Sequence, residues 1–267
     1  MLSYIGGKKF HVKYIIPHFP TRFNGYCEPF SGAFWVYLQS GISKDQIVYN
    51  DANPNMVNLF KSCADDPQKM KILMKSMKPQ DASLFIQYRD EIFGRGFNSS
   101  ISMPDFDLAA KFAYIQTQIF AGNTLSDKSK ITILDKKYRS KFEQLTDKLS
   151  DNKILNSLSN ISIFENLDFE DCIRKYDREG MMFYIDPPYF DCEDYYTIGK
   201  KDIHERLAKC VSNIKGYCII SYYEFDKLRD WYDPNKFNFQ HYNINCQNGN
   251  RLKKHSSKRQ EVLIKNF

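Results

Sequence analysis

The sequence predicts an α/β fold, a mostly parallel sheet covered by helices and interrupted by a mostly helical insert. Three observations predict it. Strand, small-residue turn, helix, strand and acid follow one another over residues 25–51. Residues 181–185, Met-Met-Phe-Tyr-Ile, are the near-continuous apolar run of a strand buried on both faces. Between these segments, residues 64–158 lose the strand alternation and carry helical apolar spacing among many Lys, Asp and Ser.

Each element has its local reason. Residues 8–19, KKFHVKYIIPHF, have the spacing of a short helix interrupted near Pro17, and Asn24-Gly25 marks a turn. A strand then runs to Glu28-Pro29-Phe30. A turn at Ser31-Gly32-Ala33 leads into an apolar helix through Leu38, which Gly41 closes. A second strand, 46–49, ends at Asn50-Asp51, and a helix starts near Asn53-Pro54. This βαβ unit is of the nucleotide-binding, Rossmann-like kind. In the insert, 111–120 continue a helix begun after Pro104, and 121–139 read as an exposed loop with a hairpin. After Asn160 the alternation returns, with strands at 161–164, 181–185 and 217–221 and helices at 201–212 and 225–231. Two late strands follow near 236–242 and 261–264. The expected organisation is one α/β domain from 1–63 and 159–267, with 64–158 as an inserted domain.

Composition narrows the function classes. The chain has 267 residues, 42% of them hydrophobic, enough for one sizeable core. A formal net charge of +6 permits nucleic-acid binding without demonstrating it. The seven cysteines are odd in number and contain no CxxC pair, which argues against a disulfide framework and a cysteine-rich zinc site. The N-terminus MLSYIGGKKF lacks a signal pattern, and no run of about 18 apolar residues exists. A soluble cytoplasmic protein without a membrane partner is expected. His, Cys and carboxylates show no metal-ligand spacing, and no GxSxG or Walker loop occurs. Metal-assisted hydrolysis and acyl transfer have no support, and no metal is expected.

The sharpest signal is Asp186-Pro187-Pro188-Tyr189 at the end of the apolar strand. Such a tetrapeptide arises by chance in roughly one chain in a thousand of this length. Proline fixes φ and bars the preceding residue from helix, so the pair holds a rigid loop at the carboxyl edge of the sheet. Ligands bind at that edge in open α/β sheets. Asp186 and the neighbouring carbonyls supply acceptors, and Tyr189 supplies a flat face, which suits an exocyclic amine on a heterocycle. The plainer reading is a stiff strand-to-loop corner with a solvated acid.

Other candidates carry the same two-sided weighing. Gly32 lets backbone approach a ligand closely. Asp51, at the end of the second strand, suits a ribose hydroxyl pair or a helix cap. Lys8, after two glycines, offers an ammonium to an anion or to water. Asp168-Phe169 suits an adenine ring and its amine, or a helix cap followed by a core phenylalanine. Arg251, Lys253, Lys254, Lys258 and Arg259 form a basic run, and Lys128, Lys130, Lys136, Lys137 and Arg139 form another in the insert. Each run reads as a solvated face or as a grip on phosphates.

In this order the motifs resemble those of the Dam-type (D12 class) adenine-specific DNA methyltransferases. Tyr4-Ile5-Gly6-Gly7-Lys8 is similar to the family's GGK element, and Glu28-Pro29-Phe30-Ser31-Gly32 to its EPFxG cofactor loop. Asn50-Asp51-Ala52-Asn53 resembles the D-x-N after its second strand. Asn166-Leu167-Asp168-Phe169 resembles its G-D-F segment, with Leu in place of Gly. Asp186 to Tyr189 matches D-P-P-Y, and Asn248–Lys254, His255-Ser256 and 261–264 resemble the closing hairpin and last strand. The resemblance implies an S-adenosylmethionine-dependent methyltransferase sheet with an inserted target-recognition domain. It implies transfer of the methyl group of S-adenosyl-L-methionine to the N6 amine of a flipped-out adenine in double-stranded DNA. Asp186, Pro187, Pro188 and Tyr189 would be catalytic. Tyr4, Gly7, Lys8, Glu28, Pro29, Phe30, Gly32, Asp51, Asn53, Asp168, Phe169 and Asp186 would hold the cofactor. Asn123, in Phe120-Ala121-Gly122-Asn123, and the two basic runs would contact DNA. The insert lacks the Asn-Val-Pro-Tyr/Phe-Gly hairpin common in the family, so the resemblance implies a short site without assigning GATC. A partner restriction enzyme is a further expectation. Two other readings fit the same residues. One is a methyltransferase of this fold acting on RNA or another planar amine, separated by assays on DNA, RNA and protein. The other is a DNA-binding homologue without turnover, separated by calorimetry with the cofactor.

Overall fold

The computed structural model describes residues 7–94, 104–119, 126, 128–132, 139–190, 202–245 and 258–267. Tyr4, Asn123, Lys136, Lys137, Arg251, Lys253 and Lys254 lie outside these residues.

The chain opens with a 3-10 turn (Lys8–Phe10), helix α1 (Val12–Ile15) and a second 3-10 turn (Ile16–His18) that contains Pro17. Strand β1 (Gly25–Glu28) and helix α2 (Trp35–Ser40) follow, and Gly41 ends α2 in the left-handed region, with φ of 72°. Strand β2 (Gln46–Asn50) leads to helix α3 (Pro54–Asp65), capped by Asn53 with proline in its first turn. Five helices come next: α4 (Pro67–Ser76), α5 (Ala82–Gly94), α6 (Phe106–Gln118), α7 (Lys141–Lys148) and α8 (Asn152–Ser159). The α/β alternation resumes with β3 (Ile163–Glu165), α9 (Phe169–Tyr176), β4 (Met181–Ile185), α10 (Ile203–Val211) and β5 (Tyr217–Tyr223). A short helix α11 (Leu228–Trp231) precedes β6 (Asn238–Asn245) and β7 (Lys258–Lys265).

Among the described residues, the seven strands form one sheet in the order β3-β2-β1-β4-β5-β7-β6. The first five pair in parallel, whereas β7 runs antiparallel between β5 and β6. This mixed sheet with helices is consistent with the expected methyltransferase fold. The strand order reverses between β1 and β4, so a crevice opens beyond their carboxyl ends.

Alternate side chains of β4 enter different cores. Met182 and Tyr184 join a cluster with α2 and α3, and Met181, Phe183 and Ile185 join one with α9 and α10. Burial on both faces is why this strand reads as an unbroken apolar run.

Among the described residues, helices α4–α8 share their core with the sheet. Met70, Met74, Phe85, Phe112, Phe142 and Leu158 share one apolar cluster with Tyr26, Ile47 and Tyr49 of the sheet. Segment 64–158 thus thickens one helical layer. Strand β6 is shifted toward the C-terminus of the expected 236–242, and β7 extends beyond the apolar run 261–264 into the polar residues at either end. The helix expected over 225–231 is confined to Leu228–Trp231. The hairpin expected in 121–139 lies mostly outside the described residues, although Ile131 bridges antiparallel to Ile119.

Candidate active site

The loop after β1 is tied down to the end of β2. Ser31 donates its N–H to the Asn50 carbonyl at 2.9 Å and its hydroxyl to the Glu28 carbonyl at 2.8 Å. Asn50 Nδ2 donates to the Pro29 carbonyl at 2.8 Å. Gly32, with φ of 47°, donates its N–H to Asp51 Oδ2 at 2.9 Å. Asp51 Oδ1 accepts the Asn53 N–H at 2.8 Å, and the Asn53 side chain caps α3. Burial pushes the Asp51 carboxyl up to about 6 against the pull of these two N–H bonds. A carboxylate has about four lone-pair sites, so accepting two N–H groups leaves capacity for a ribose hydroxyl pair.

Phe34 stands at the start of α2 with φ of 54°. Its ring is buried, 4.6 Å from the Tyr37 ring and 5.1 Å from the Tyr49 ring. The bulky residue after the glycine turn therefore belongs to the core. Glu28 is also buried, and its Oε1 accepts from the Tyr26 hydroxyl at 2.7 Å and the Tyr37 N–H at 3.1 Å. Burial raises its carboxyl well above the usual range.

On the β1 side of the strand-order reversal, Phe30 stacks on Phe169 with ring centroids 5.1 Å apart. Asp168 caps α9 through the Glu170 N–H and pairs with Arg206 at 2.7 Å, both contacts falling on Oδ1. Arg206 also lies 4.8 Å from the Phe169 ring. Asp168 thus serves as a cap, and Phe169 is at once a core residue and half of an aromatic pair.

At the end of β4, Asp186 Oδ1 is 2.7 Å from Lys8 Nζ. The ion pair is mostly withdrawn from water, with side-chain exposures of 5% for Lys8 and 19% for Asp186. Burial pushes Asp186 up to about 6, Lys8 pulls it down, and the Glu261 charge pushes it up again. Lys8 Nζ also donates to the Tyr189 hydroxyl at 2.7 Å, and that hydroxyl donates to Glu261 Oε2 at 2.8 Å. Pro187 and Pro188 are buried. His11 Nδ1 lies 3.1 Å from the Tyr242 hydroxyl and 4.0 Å from Glu261 Oε2. Burial and the nearby Lys8 charge push His11 down to about 3, so its ring is neutral and forms no ion pair with Glu261.

The fold thus gathers Lys8 with Asp186 and Tyr189, Gly32 with Asp51 and Asn53, and Phe30 with Phe169. It adds Glu261, His11 and Tyr242, which sequence reasoning did not single out. The signal for Glu261 was a lone carboxylate heading the apolar run Val262-Leu263-Ile264. In the insert, Lys128 and Lys130 are exposed, and Arg139 pairs with Asp147 at 2.6 Å.

The model of a family described as D12 class N6 adenine-specific DNA methyltransferase matches residues 4–248. The chain is similar to the type II methyltransferase M1.LlaDCHI of Lactococcus lactis subsp. cremoris, at 23% identity over 193 residues, covering 70% of this chain and 64% of that protein. It is also similar to the modification methylase StsI of Streptococcus sanguinis, at 22% identity over 291 residues, covering 100% of this chain and 42% of that protein. The chain spans less than two thirds of the length of either relative.

Proposed function

This chain belongs to the D12 class N6 adenine-specific DNA methyltransferase family, and on that footing we propose that it methylates the N6 amine of adenine in a short double-stranded DNA site. The observation that carries this reading is the half-buried Asp186 carboxylate beyond β4, at the strand-order reversal, with Pro187, Pro188 and Tyr189 behind it and Lys8 against it. S-adenosylmethionine, when bound, supplies an electrophilic methyl group on a sulfonium centre. The residues present fit it. Phe30 and Phe169 offer an aromatic face for its adenine, and Asp51 keeps acceptor capacity for its ribose.

Asp186 and the Pro187 carbonyl do the chain's part of the chemistry. Adenine's amine is a poor nucleophile because its lone pair is delocalised into the ring. Two acceptors on its N–H groups draw the nitrogen toward tetrahedral geometry and free the lone pair for in-line attack. The nitrogen–methyl bond would form as the sulfur–methyl bond breaks, the sulfur leaving as a neutral thioether, and the nitrogen would release one proton to solvent. Positioning provides most of the rate. The target amine is out of reach in a stacked duplex, so the base is flipped out, and Tyr189 stacks on it. Segment 64–158, with Lys128 and Lys130, grips and selects DNA, and the run from Arg251 to Lys254 holds phosphates. The relatives' names, type II methyltransferase and modification methylase, support a modification role; a partner nuclease and action in the cytoplasm are part of the same proposal.

The test supplies methyl-tritiated cofactor with duplex DNA, RNA and protein as separate acceptors. Label is expected in DNA alone, as N6-methyladenine after digestion. Asp186→Ala is expected to abolish labelling while retaining DNA binding. Label in RNA or protein alone, or normal methylation by the variant, overturns this reading. Methylation-sensitive sequencing of DNA from expressing cells then gives the site.

A further inference from the structure

We infer that Glu261 is a positioning residue of this active site: from β7 it holds the Tyr189 phenol, and through it Lys8 and Asp186. The inference rests on the function proposed above.

Glu261 has no reason to be where it is from packing alone. It is 7% exposed, and Val262, Leu263 and Ile264 beside it are wholly buried. A buried carboxylate costs several kcal/mol, on the order of a strongly unfavourable transfer, unless it is hydrogen-bonded or paired. Its satisfied contact is the Tyr189 hydroxyl at 2.8 Å, and Lys8 reaches it through that same hydroxyl. Because the phenol accepts from Lys8 and donates to Glu261, its oxygen is held from two sides. That sets the ring that is to meet the base. The other end of Lys8's reach is Asp186. The acid that is to accept the amine and the ring that is to cover the base are therefore joined through one ammonium, and Glu261 closes the chain.

The groups facing Asp186 come from every neighbouring element. They are Lys8 and, beyond it, His11 from the opening turns, Glu28 from β1, Tyr184 and Tyr189 from β4 and its loop, Tyr242 from β6 and Glu261 from β7. His11 is neutral, so Lys8 is the cation in contact with this group among the described residues. The charge of Glu261 raises Asp186, in the same direction as burial.

Single-turnover methylation of duplex DNA at saturating cofactor tests the inference, with melting temperature and DNA affinity as controls. Glu261→Leu is expected to slow methyl transfer roughly 10- to 100-fold with DNA affinity little changed. Glu261→Gln keeps an acceptor for the phenol and is expected to recover the rate to within about 3-fold of wild type. Because it removes a negative charge near Asp186, it is also expected to move the acid limb of the rate to lower pH. In a Tyr189→Phe background, Glu261→Leu is expected to cost little more. A wild-type rate for Glu261→Leu, equal losses for Leu and Gln, or an undiminished loss in the Phe background overturns the inference. If the Leu variant fails to fold, an unshifted acid limb in the Gln variant does so. A wild-type enzyme that methylates no DNA removes the function and the inference together. Wild-type methylation with an unaffected Glu261→Leu removes the inference alone.

Discussion

Lys8 and Asp186 meet at 2.7 Å, which brings the opening turn of the chain against the loop that follows the central strand β4. The contact sets the charge of the site. Without its cation, Asp186 would sit in a half-buried place with two further carboxylates, Glu28 and Glu261, acting on the same group of residues.

Lys8→Met leaves that carboxylate without its partner. Breaking a buried pair costs about 3 kcal/mol. With Lys8 gone, Asp186 titrates still further above its unfolded value. Such a group favours folding at low pH, and the benefit is lost as pH rises through the folded value. The deficit in denaturant unfolding is expected to be larger in mildly alkaline than in mildly acidic buffer. An equal deficit at both removes the ion pair as its cause.

Methylation by the wild-type protein is expected to show an acid limb near pH 6, where Asp186 takes up a proton. A protonated carboxyl loses one of its acceptor positions to its own hydrogen, so the rate falls as pH drops through that value. Single-turnover rates across pH, at saturating cofactor and DNA, locate the limb. A midpoint at the ordinary aspartate value would show that burial does not govern this group in the working enzyme.

Phe30→Ala removes one ring of the Phe30–Phe169 pair. The expected effect is about a 10-fold loss of S-adenosylmethionine affinity by calorimetry, the scale of one aromatic contact. Unchanged affinity would place the cofactor's adenine elsewhere.

Phe34 couples a backbone penalty to a packing gain. Its left-handed backbone costs roughly 1 kcal/mol, and its buried ring contributes about 3–5 kcal/mol. Phe34→Ala loses the packing and keeps the strain, whereas Phe34→Gly loses the packing and relieves the strain. The glycine variant is expected to be the more stable of the two by about 1 kcal/mol in urea unfolding, the reverse of the usual order inside a helix.

Much of this molecule is legible in one dimension. The doubled proline of Asp186–Tyr189 marks the loop proposed to be active, the apolar run 181–185 marks the central strand, and Asn53-Pro54 marks a helix start. Each signal is local, made by residues a few positions apart. What was not legible depends on contacts across the sheet. Glu261 reaches Tyr189 because β7 pairs with β5, and Tyr242 stands opposite Glu261 in β6. No spacing rule announces that adjacency. The left-handed turn at Phe34 was hidden for the same reason, since the rings that compensate it come from α2, β2 and α3. Segment 64–158 shows another limit of local signals. Its change of composition marks it off along the chain, but composition does not announce that its described apolar residues share a cluster with Tyr26, Ile47 and Tyr49 of the sheet.

Strand β7 enters between β5 and β6 and pairs antiparallel with both. Among the described elements, Lys8 lies before the first strand and Glu261 in the last, so the two are far apart in sequence. Pairings so distant along the chain close slowly, because each must first overcome the entropy of a long loop. Until β7 has paired with β5, the Tyr189 hydroxyl lacks its Glu261 acceptor. The opening turn and the last described strand thus meet at the candidate site, through the Tyr189 hydroxyl, only once that long loop is closed.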